Sequence, residues 1–74
     1  MKVWIYDWDV GASKVFAHKA IRMATNLNLA DAKAVVDRCL ESQPVVVECH
    51  DNESALDLIR QLDDAGFLAK RLPT

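Results

Sequence analysis

The spacing of apolar residues alternates along the chain between a period of two and a period near 3.6. Each switch falls at a Gly, Asn, Ser-Gln-Pro or Asp that can end one element or start the next. Residues 2–6 alternate and are rich in Val, Trp, Ile and Tyr, which predicts a strand. Residues 7–13 form a loop, with Gly11 as a turn residue and Ser13 as a helix start. From Ser13 to about Asn26 the period is helical. Phe16, Ala17, Ala20, Ile21, Met23, Ala24 and Leu27 share one broad arc, the predicted core face, and the alanines leave room for close helix packing. Lys14, His18, Lys19, Arg22 and Thr25 take the other arc. Val15 is the apolar residue out of place among them.

At Asn26-Leu27-Asn28 the first helix is expected to end, with Asn26 in the left-handed conformation that Asn tolerates. Asn28 would cap a second helix, with Asp31 in the capping-box position. That helix turns Leu29, Ala32, Val35, Val36, Cys39 and Leu40 to one side. Ser42-Gln43-Pro44 breaks it, and residues 45–49 predict a second strand. Asp51 or Asn52 then caps a third helix with core face Ala55, Leu58, Ile59, Leu62 and Ala65. Gly66 stops it, Phe67 is placed to contact Leu62, and residues 67–72 form the third strand. The order is β-α-α-β-α-β, an α/β (α+β) fold with three helices on one face of a three-stranded sheet. Its last strand–helix–strand segment is expected to be a right-handed βαβ unit with parallel strands. One domain over residues 1–74 is expected, with no dimerisation domain, hinge or linker.

Composition narrows the function classes. At 51% hydrophobic and 27% charged residues, the chain is too apolar for intrinsic disorder and too charged for a membrane protein. No apolar run reaches the roughly 20 residues of a membrane span, and Asp7 interrupts the N-terminus too early for a secretory signal. Cys39 and Cys49 are too sparse for a disulfide scaffold; they imply reduced thiols and a cytoplasmic location. The net charge of −2 conceals two lobes. Between residues 13 and 38 lie Lys14, Lys19, Arg22, Lys33 and Arg38 against Asp31 and Asp37. Between residues 41 and 64 seven acids face Arg60 alone. Such asymmetry suits electrostatic steering of a partner, although ordinary solvated helix faces would look the same.

Catalytic and metal chemistry find no support. Cys39, Cys49, His18 and His50 lack the paired spacings of a zinc site. Cys49-His50-Asp51 lists the members of a nucleophilic triad, but adjacent strand residues point to opposite faces and cannot meet. With glycines only at 11 and 66, no phosphate-cradling loop can be written, and no cofactor is implied. A nucleic-acid reading would use the basic helix and stacking on Trp4, Tyr6 and Trp8, but the net acidic charge weighs against it.

The spacing of Lys19, Arg22, Thr25, Leu27, Leu29, Ala32 and Lys33 carries a resemblance. So do Lys14-Val15, Ala24, Val36, Ala55, Leu58, Leu62 and Asp63-Asp64-Ala65-Gly66. Nearly the whole chain is similar to the C-terminal domain of the bacterial ribosomal stalk protein, the large-subunit protein seven/twelve family. The resemblance implies a non-catalytic binding module that recruits a protein partner, such as a translational GTPase, through its first two helices. The matching positions are Lys14, Val15, Lys19, Arg22 and Lys33, with His18 inside the same arc. Asn26-Leu27-Asn28 stands where that family has Gly-Leu-Gly, and His18 where it has an aliphatic residue. An alternative is a Clp-protease adaptor, which has a similar element order and to which Tyr6-Asp7-Trp8-Asp9 bears a weak likeness. A second interface is expected on the open sheet face, where Trp4, Tyr6, Val46 and Leu68 would form an apolar patch for a homodimer unless Trp8 or the 7–13 loop covers it.

Overall fold

A computed structural model describes residues 1–73. The elements are β1 (Lys2–Trp8), α1 (Lys14–Ala24), α2 (Leu29–Leu40), β2 (Val45–Glu48), α3 (Asn52–Asp64) and β3 (Phe67–Arg71), in the predicted order. The sheet order is β2-β1-β3, and β1 is antiparallel to both neighbours. β2 and β3 therefore run the same way, as a βαβ unit requires, but they do not pair: β1 lies between them. α2 and α3 pack on the sheet, and α1 packs against both.

Strand alternation places Val3, Ile5, Val45 and Val47 in the core, where they meet Ile21, Val36, Leu58, Leu62 and Phe67. β1 extends two residues beyond the expected end. A β-bulge between Ile5 and Asp7 makes Tyr6 the extra residue, and this reverses the inward–outward parity of Asp7 and Trp8. Trp8, paired with Phe67, consequently packs against the core instead of joining Trp4 and Tyr6 on the outer face.

All three predicted N-caps form. Ser13 Oγ accepts from the Phe16 N–H at 3.4 Å, Asn28 Oδ1 from Asp31 at 2.8 Å, and Asp51 Oδ1 from Ser54 at 2.7 Å. The end of α1 differs from expectation. Asn26 does not have a positive φ; α1 stops at Thr25, which is extended at φ −132°. The buried Thr25 hydroxyl donates to the Ile21 carbonyl at 2.6 Å and accepts from the Leu27 N–H at 3.2 Å. A side chain thus makes the turn for which a left-handed backbone was expected. Among the described residues the non-glycine residue with positive φ is Ser42, at 63°. There Ser42 N–H donates to Cys39 and Gln43 N–H to Arg38, the paired bonds of a Schellman motif.

Gly66 has φ +92°, and a Cβ there would come within 2.9 Å of the Ala12 backbone. Around it, Asp9 N–H donates to Gly66 and Ser13 N–H to Ala65, both at 2.8 Å. The loop before α1 is stapled to the end of α3.

Candidate interaction surfaces on the first helix

α1 presents different chemistry on its two sides because only one stripe of it is buried: Ala17, Ala20, Ile21 and Ala24. The side toward α2 carries the predicted basic arc except for Lys19, which lines the gap between α1 and α3. Lys14, Lys19, Arg22 and, on α2, Lys33 are exposed. Val15 among them is 74% exposed. The ion pairs among the described residues are Met1 amine–Glu48 and Arg60–Asp57, so these four cations stand unpaired. His18 lies half-buried between them, and its Nε2 is shielded without a hydrogen-bond partner. Partial burial lowers the His18 pKa from its ordinary value; Lys33 and Lys14 lower it as well, against an opposing effect of Asp37. α1 and α2 thus bring Lys14, His18 and Lys33 into electrostatic contact. In its neutral form the imidazole adds no charge to the patch.

The side toward α3 departs from the predicted core face. Phe16 and Met23 are 66% and 64% exposed, and Leu29 at the start of α2 is 43% exposed. Calculated at 100° per residue, Phe16 and Met23 lie about 100° from the centre of the buried stripe, beyond what a small core can cover. They wall a cavity of about 400 Å³ lined by Phe16, Lys19, Ala20, Met23, Gln61, Asp64 and Ala65. The angular offset was the available sequence signal for this groove. An arc wide enough to hold both Phe16 and Met23 hides it.

On the outer sheet face Trp4 and Tyr6 are half-buried, with ring centroids 5.0 Å apart and Lys70 Nζ 5.3 Å from the Tyr6 centroid. Trp4 pairs with Val46, which is about half exposed, and Leu68 is half-buried opposite Asp7. Trp8 packs on the core, and the backbone bonds of Asp9 and Ser13 go to the end of α3.

Both cysteines are free and buried. Burial pushes the Cys39 thiol up to about 11 and the Cys49 thiol in the same direction, so neither supplies a ready thiolate. Among the described residues no cluster of His, Cys, Asp and Glu could hold a metal ion, and no helix is long and apolar enough to cross a membrane.

Comparison with known proteins agrees with the fold. Residues 3–70 match the ribosomal protein L7/L12 C-terminal domain. The chain is 49% identical over 57 residues to the large ribosomal subunit protein bL12 of Idiomarina loihiensis, covering 76% of this chain and 43% of that protein. It is 43% identical over 62 residues to bL12 of Chloroherpeton thalassium, covering 84% and 46% respectively. The chain thus spans less than half the length of these curated relatives. The matched unit is a ribosomal-protein interaction domain and not an enzyme. The chain belongs to the ribosomal protein L7/L12 C-terminal domain family.

Proposed function

We propose that this domain binds a protein partner, a translational GTPase or another ribosome-associated factor, through the α1–α2 face formed by Lys14, Val15, His18, Lys19, Arg22 and Lys33. The observation that carries this reading is an apolar side chain, Val15, 74% exposed among cations that have no ion-pair partner among the described residues. An exposed valine ringed by cations gives a docking surface a small apolar anchor. The surrounding charge speeds encounter with an acidic partner and makes binding weaken as salt rises. The buried free thiols fit a reducing, cytoplasmic setting. The test is capture of partners from the source cell, identified by mass spectrometry, followed by Val15→Ala, Lys19→Glu and Arg22→Glu. All three side chains are exposed, so circular dichroism should be unchanged while affinity falls. Unchanged affinity in all three would remove this face from the binding role.

A second surface, Trp4, Tyr6, Val46 and Leu68, we propose as a self-association face. The Trp4–Tyr6 pair beside half-exposed Val46 supports it, since aromatic patches concentrate at interfaces. Sedimentation at rising concentration tests it. A monomer at every concentration, with Trp4→Lys no more soluble, would reject it.

A further inference from the structure

The groove on the other side of α1 is not absorbed by either surface above. Its floor is small and apolar, Ala20 and Ala65, and its walls are Phe16 and Met23. A smaller cavity of about 80 Å³ shares Ala20, Met23 and Gln61 and continues toward Ser54 and Asp57. The two form one trough between α1 and α3. Phe16 and Met23 stand seven residues apart, which is two turns or about 10 Å along the helix axis. Side chains at that separation admit another helix, whose residues enter the space between them.

Charge says what kind of helix. The α3 wall carries Asp57 and Asp64, with Asp63 next in sequence. The last turn of α3 holds no basic residue, although that end of a helix is the negative end of its dipole and favours cations. Among the described residues the one ion pair of α3 is an exposed Arg60–Asp57 contact at 3.6 Å, which leaves Asp63 and Asp64 uncompensated. Lys19 is the single cation lining the trough. A second copy of the chain is a poor occupant. Its basic face offers only Val15 as an apolar anchor, too small a side chain for a cavity of about 400 Å³.

We propose that the α1–α3 groove docks a basic amphipathic helix of a protein partner. A bulky apolar side chain sits between Phe16 and Met23, and Lys or Arg residues face Asp57 and Asp64. This surface lies beside the α1–α2 face and shares with it only Lys19, so one domain can hold two segments at once.

The test is a two-dimensional amide NMR titration of the labelled protein with a synthetic helix of about four turns, built from Leu and Lys in amphipathic spacing. The same peptide with Glu in place of Lys is the counterpart. The Leu–Lys peptide should shift the amides of residues 16–24 and 57–65, and the Leu–Glu peptide should bind roughly tenfold more weakly or worse. Met23→Glu and, independently, Asp64→Lys should each weaken the Leu–Lys peptide by about tenfold. Both side chains are exposed, so unchanged dispersion of the spectra verifies the fold. Equal binding of the two peptides, or shifts confined to α2 or the outer sheet face, would overturn the proposal. So would a peptide-free dimer abolished by Met23→Glu, since the groove would then belong to a second copy.

Discussion

The two sides of α1 differ in what burial leaves over. Toward α2 the residues outside the core are the ones expected there, Lys14, His18, Arg22 and the isolated Val15. Toward α3 the leftovers include Phe16 and Met23, among the largest apolar side chains of the helix. The difference teaches that periodicity finds the direction of a core without fixing its width. Three alanines, Ala17, Ala20 and Ala24, draw α1 close to its neighbours, and a close approach buries a narrow stripe.

The largest expected effect tests that width. Ile21→Ala, at a fully buried site, should cost roughly 2–5 kcal/mol in urea melts, while Phe16→Ala and Met23→Ala should each stay within about 0.5 kcal/mol. Comparable losses in all three would restore the broad core face.

Next in size is the contact that sets α1 against α3. Gly66→Ala must hold a positive φ and also push into the Ala12 backbone, and should cost about 2–4 kcal/mol. Gly11→Ala shares the positive φ, at +88°, but its Cβ would meet nothing within 4 Å; it should cost only about 1–2 kcal/mol. Equal costs would mean that the Ala12 contact gives way freely.

On the α2 side the corresponding fastening is the Thr25 hydroxyl. Thr25→Val keeps the shape and leaves the Leu27 N–H without its acceptor, for a loss of about 1–2 kcal/mol. Asn26→Val, by contrast, should match Asn26→Gly within about 1 kcal/mol, because no positive φ is required there. A much larger cost for valine would revive the left-handed turn.

The smallest effect is the pH response of His18. Its folded pKa lies below the ordinary 6.5, so the unfolded chain takes up the proton first as pH falls. His18 therefore favours folding above pH 6.5. That contribution is lost as pH drops from there through the lowered folded value, with Lys33, Lys14 and Asp37 as the charged neighbours. In His18→Gln this part of the acid destabilisation should disappear. Stability curves that stay parallel from neutral to mildly acid pH would show that His18 is not its source.

Features governed by neighbours in sequence were legible. Element order follows from period and breakers, and Ser13, Asn28 and Asp51 cap because each side chain reaches an N–H three residues ahead. The basic arc and Val15 could also be placed from angular position alone. Features that depend on distant partners were not legible. The bulge at Tyr6 reflects pairing of β1 with β3, more than sixty residues away, and it decides the side on which Trp8 lies. The left-handed residue at the end of α2 is Ser42, a residue type that tolerates positive φ less well than Asn, so local preference points to Asn26 instead. The α1–α3 groove needed both helices in place before Phe16 and Met23 could appear as walls.

The sheet order carries a consequence for how the domain comes into being. Of the six described elements the central strand comes first in sequence, and its two partners are the fourth and the sixth. Val3 pairs with Val47 on one side and Arg71 on the other, so every ladder closes a long loop. Such non-local pairing slows folding relative to a helical bundle of equal size. Until β2 and β3 follow, β1 has no partner strand to pair with. The sheet beneath the two helices that present the basic surface is completed only when β3 arrives.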